Sequence, residues 1–95
     1  MTNETNDERI NYAMRYFHLE DIKNPDEITI KISGFDLKLI ITALMEERRL
    51  RLQKTGWKNR TPDVYPPQYG YDDNAKPVRQ VDSVINHIKK QTIKE

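Results

Sequence analysis

The stretch that decides the fold is ITIKISGFDLKLIITALMEERRLRLQ, residues Ile28 to Gln53. Its first five residues, Ile28 to Ile32, alternate β-branched apolar side chains with polar ones, the period of a half-buried strand. At Ser33 the period changes. Ser33 is placed to cap a helix, and Asp36 three residues on is a shorter stand-in for the glutamate of a capping box. From Phe35 to about Gln53 the spacing predicts a helix with Leu37, Ile40, Ile41 and Leu44 on one face, widened by Leu39, Ala43, Met45 and Leu50. Beyond Met45 it reads as a solvated, charged extension in which Glu47 and Arg51 stand four apart, and Gly56 supplies a stop.

Working outward toward the N-terminus, Asn24-Pro25-Asp26 is a turn signal that separates this strand and helix from an earlier helix. Thr5 or Asn6 can cap that first helix, Asp7 and Glu8 suit its positive end, and Ile10, Ala13, Met14 and Phe17 recur at helical spacing. The helix is expected to end between Phe17 and Lys23, with residues 1–5 a frayed lead-in. On the C-terminal side, Val78, Val81, Ile85 and Ile88 predict a narrow amphipathic helix that lies antiparallel against the main one.

Between them, residues 54–77 hold four of the five prolines, two of the three glycines, the only tryptophan and three of the five tyrosines, and no periodicity survives. A loop this long inside a small domain is uncommon and usually functional or disordered. The expected fold is therefore α+β and mostly α: one domain over 1–95, with three helices and one short strand between the first and second. A lone strand leaves its backbone groups unpaired, so its partner is expected to come from another copy across a homo-oligomer interface. On that reading Ile30→Lys dissociates or unfolds the protein.

Composition narrows the function classes. Cysteine is absent, which excludes a disulfide framework and a thiolate metal site. The polar, acidic start and the lack of a long apolar run point to a soluble, cytoplasmic protein with no membrane association. His18 and His87 have no spaced partners, adjacent acidic pairs such as Glu46-Glu47 are ordinary solvated pairs, and no nucleophile motif or phosphate loop is present. The chain is expected to be non-enzymatic, with no cofactor and no metal.

The net charge of +1 hides a split: residues 1–47 carry 5 basic and 10 acidic side chains, residues 48–95 carry 11 basic and 5 acidic. Within the basic half, Arg48, Arg49, Arg51, Lys54, Lys58 and Arg60 surround Trp57, and Tyr65, Tyr69 and Tyr71 follow on a proline-stiffened loop. Guanidinium groups for phosphate and ring faces for bases are what a nucleotide or a single strand needs. The competing readings are a solvated helix end and a loop whose rings cover a thin core. Arg48, Arg51, Lys54, Trp57, Lys58, Arg60, Tyr65, Tyr69 and Tyr71 are the candidate binding residues.

Segment 28–44, about a fifth of the chain, resembles in style stretches of short proteins of phages and other mobile elements, and carries no family motif. The resemblance implies a setting of counter-defence or host takeover. The leading expectation is a small binding protein, an inhibitor or adaptor acting on another protein. The alternative is an oligomeric nucleotide-binding, signal-sequestering protein or a single-stranded nucleic-acid-binding module, using 48–60 and the tyrosine loop.

Overall fold

The computed structural model describes residues 5–92. The chain divides into two compact units, Met1–Lys31 and Ile32–Glu95. Three α-helices are present among the described residues: α1 (Asn6–Tyr16), α2 (Gly34–Thr55) and α3 (Lys76–Gln91), with a single 3-10 turn over Asp73–Ala75.

In the first unit Thr5 caps α1: its hydroxyl accepts from the Glu8 amide and the Glu8 carboxylate accepts from the Thr5 amide, a complete capping box. Thr5 is thus an anchoring residue, and the remainder of the expected frayed lead-in lies outside the described residues. The helix ends at Phe17, followed by His18 at φ +57°, the left-handed position that terminates a helix. His18 is therefore a terminator. α1 buries none of its residues; Ile10, Tyr12 and Tyr16 are exposed.

In the second unit Ser33 and Asp36 form the expected capping box, and Gly56 at φ +68° closes α2 by donating its amide to the Leu52 carbonyl. A side chain at Gly56 would meet no neighbour, so only the backbone conformation selects glycine there. α2 runs two residues beyond the expected Gln53. α3 begins at Lys76, led in by Asp72, whose carboxylate accepts from the Asn74 amide, and by Pro77 in its first turn.

The two long helices pack antiparallel, as their cross-links show: Arg48 meets Asp82, and the later Arg51 meets the earlier Pro77 and Gln80. The buried apolar side chains among the described residues are Trp57, Pro67, Ala75, Val78, Val81 and Ile85, with half-buried Leu52 and Tyr69 packed around Trp57, Ala75 and Val78. At about 1.5–3 kcal/mol for each fully buried aliphatic side chain, this is a thin core. It sits where the 54–77 loop folds back over the end of α2, so that loop is part of the interior.

Two expectations are corrected. No strand forms among the described residues: Ile28, Ile30 and Ile32 are 57%, 65% and 41% exposed in an irregular segment. A strand is stable only with a ladder partner, and the chain contains no second segment of that period. The apolar face of α2 is also not one broad stripe. Leu37, Ile40, Ile41 and Leu44 are half-buried on the side toward α3, while Phe35, Leu39 and Leu50 stay exposed.

With Ile30 already in water, Ile30→Lys is now expected to leave helical content and the melting transition unchanged within about 0.5 kcal/mol. Circular dichroism of the variant checks this; a lost transition would restore the paired strand.

Candidate functional site

The polar centre of the second unit is Asp82, on the inward face of α3 and only 1% exposed. A buried carboxylate needs opposite charge and donors. Three segments supply them. From α2, the Arg48 guanidinium donates to Oδ1 at 2.7 Å; from the loop, the Tyr65 hydroxyl donates to Oδ1 at 3.0 Å and the Tyr69 hydroxyl donates to Oδ2. Asp82 thus ties helix, helix and loop together. Asp82 was not among the expected site residues, although its place between Val81 and Ile85 on the apolar stripe is a visible signal of an inward carboxylate.

Burial, reinforced by the hydrogen bond the phenol donates to the Asp82 carboxylate and by that carboxylate's negative charge, pushes the Tyr65 phenol up to about 12, against a weaker downward pull from Arg48. Tyr69 is raised further for the same reasons. Each ring also carries a cation on its face: the Arg79 guanidinium lies 5.0 Å from the Tyr69 ring centre, and the Lys89 ammonium 5.3 Å from that of Tyr65.

Arg51 is equally committed to structure. It is 5% exposed, and its Nη1 donates to the Pro77 carbonyl at 2.8 Å and to Gln80 at 2.7 Å. Its buried Nε has no hydrogen-bond partner, and the Glu47 carboxylate 3.7 Å away offsets its charge. Pro77 cannot donate a hydrogen bond, but its carbonyl can accept one, and Arg51 uses it.

The expected binding residues are thereby sorted. Arg48, Arg51, Tyr65 and Tyr69 hold the fold together through their polar ends. Trp57 is 8% exposed, with its ring 5.4 Å from that of Tyr69 at a tilt of 35°. Lys58, Arg60 and Tyr71 face solvent, and Lys54 lies on the exposed last turn of α2. Four of the nine do come together: Trp57, Lys58, Arg60 and Tyr69 line one hollow of about 500 Å³, whose rim includes Thr61, Gln68 and Asp72. That volume is within the range of small-molecule sites.

Among the described residues no group of His, Asp or Glu is placed to hold a metal ion, and no helix is long and apolar enough to cross a membrane. Comparison with protein families, with curated proteins and with solved structures finds no match to this chain.

Removing Asp82 leaves the Arg48 charge and two phenols unmatched. Asp82→Ala is expected to lower stability by roughly 3–5 kcal/mol in urea unfolding. A variant that unfolds at the wild-type midpoint would deny the centre its role.

The raised phenols also set an alkaline limit. Their folded-state values lie above the unfolded value of about 10, so the stabilisation is complete below that pH and is lost as pH rises through about 12. Titration of phenolate absorbance should show a late fraction that Tyr65→Phe and Tyr69→Phe remove.

Proposed function

We propose that this chain is a small non-enzymatic binding protein, an inhibitor or adaptor, that engages an apolar surface of another protein through the outer face of α2. The observation that carries this reading is the exposure of Phe35 and Leu39, 73% and 60%, at the start of the best-formed helix. At 100° per residue, Phe35, Leu39, Ala43 and Leu50 fall on one side of α2, opposite the side that meets α3.

A helix that is apolar on both sides is suited to cover on both sides. Its second face is electrically balanced, because Arg49 and Glu46 pair with one another there. The face therefore fits an apolar partner surface rather than a charged one. Large exposed aromatic and aliphatic side chains in a cluster are the usual anchors of such contacts.

A second reading, binding of a nucleotide or single-stranded nucleic acid, is favoured by the hollow that collects Trp57, Lys58, Arg60 and Tyr69. Lys58 and Arg60 supply positive charge and the tilted ring pair supplies an aromatic wall. Trp57→Ala is a poor probe of that reading, since it also opens the core; Arg60→Ala tests it without that cost.

The α2 reading is tested with the double variant Phe35→Asp/Leu39→Asp, whose side chains already face water. The variant should keep its fold, keep the wild-type native mass by native mass spectrometry, and lose both binding of a hydrophobic dye and direct binding of any partner protein purified with the wild type. Wild-type self-association abolished by the variant would assign the face to a second copy instead. Undiminished partner binding by the folded variant would exclude the face.

A further inference from the structure

α3 carries four described cations, Lys76, Arg79, Lys89 and Lys90, and one acid, Asp82, which is buried against Arg48. No carboxylate of α3 among the described residues is open to solvent. Lys76 is held by Asp73 at 3.5 Å, whereas Arg79, Lys89 and Lys90 have no carboxylate within ion-pair distance among the described residues. Beyond Lys76, the cations on the outer surface of this helix are uncompensated among the described residues.

These charges are organised. Arg79, Ser83, Asn86, His87 and Lys90 recur at steps of three and four, one side of a helix, and together line a groove of about 340 Å³. The opposite wall is Pro66 and Tyr69 from the loop. From Arg79 to Lys90 the groove follows α3 for about 16 Å. Every solvent-facing polar group along it can donate a hydrogen bond, and its one carboxylate, Asp82, is already saturated by Arg48, Tyr65 and Tyr69.

Tyr69 belongs both to this groove and to the hollow that holds Lys58 and Arg60. Tyr69 is thus a wall common to both concavities, and the Arg79 guanidinium lies 5.0 Å from its ring centre. The juxtaposition joins Lys58 and Arg60 on one side of Tyr69 to Arg79 and Lys90 on the other.

We propose that the groove along α3 and the Trp57 hollow form one continuous track for the phosphodiester backbone of a single-stranded nucleic acid, passing over the Arg79–Tyr69 pair. The inference rests on the second reading above and extends it from a pocket to a path. A lone phosphate or mononucleotide needs only the hollow; a row of donors along successive helical turns matches a ligand whose charge repeats. An acidic protein also supplies negative charge, but the exposed guanidinium plane of Arg79, which lies over the Tyr69 ring, favours a ligand with bases to stack on it. The Asn86 amide adds a donor and acceptor suited to a base edge.

The test is fluorescence anisotropy of the intact chain with labelled oligouridine and oligodeoxythymidine of about 16 nucleotides, with a polyglutamate peptide and a mononucleotide in parallel. Binding is expected to weaken with salt, and the slope of log affinity against log salt should fall in magnitude by about 0.7 for each phosphate contact removed. Arg79→Gln and Lys90→Gln should each reduce that slope and weaken oligonucleotide binding. Lys90 is exposed on the last turns of α3, so Lys90→Gln carries the test even if Arg79→Gln disturbs the ring beneath it.

Mononucleotide binding that depends on Arg60 but not on Arg79 or Lys90, with no gain for the oligomer, would overturn the track while sparing the hollow. No binding of either at low salt would overturn both. Polyglutamate binding as tightly as the oligonucleotides would overturn the nucleic-acid assignment in favour of an acidic protein.

Discussion

A single buried carboxylate organises the second unit of this protein. Asp82 draws donors from α2 and from two points of the loop, and each would be misplaced without it. The apolar interior alone is too small to fix so long a connection, since among the described residues it holds one tryptophan, one proline, one alanine, two valines and an isoleucine. Directional bonds to one charged centre do what shape complementarity does in larger domains: they select one arrangement among many of similar hydrophobic burial. A buried ion pair often contributes little net stability compared with an apolar replacement, but it discriminates strongly against structures that leave either charge alone. Here that discrimination positions the loop.

The helical part of this architecture was legible from local pattern. The caps at Thr5 and Ser33, the left-handed glycine after α2 and the Val78/Val81/Ile85 stripe act over three or four residues, and the structure realises each of them. What failed was long-range. The alternation at Ile28–Ile32 satisfies the local requirement for a strand, yet a ladder depends on a second segment, and none lies within the chain. Leu39 and Leu50 read as part of one wide stripe, whereas α3 is a single helix and can cover only one side of α2.

The candidate site was legible in composition and not in role. The clustering of arginine with aromatic residues is plain in the sequence, and periodicity cannot tell an arginine that meets a ligand from one that meets its own fold. Arg48 and Arg51 fall on the same side of α2 as Leu44 and Leu52, and that register is the cue that they turn inward. Asp82, flanked by apolar residues, announces the complementary demand. Once these two arginines and the tyrosine hydroxyls are bound internally, the positive charge left at the surface shifts to Lys58, Arg60 and α3.

The convergence of three segments on one carboxylate also bears on how this protein can diversify. Positions 48, 65, 69 and 82 each satisfy the others, so a change at one creates a defect that only a matching change elsewhere repairs. Across descendants of this chain they should drift as a set or stay fixed, a mutational lock spanning distant parts of the gene. The exposed positions of α2 and the cations outside the lock are under no such mutual constraint. Surface recognition can therefore be rewritten quickly on a scaffold whose internal wiring is held constant.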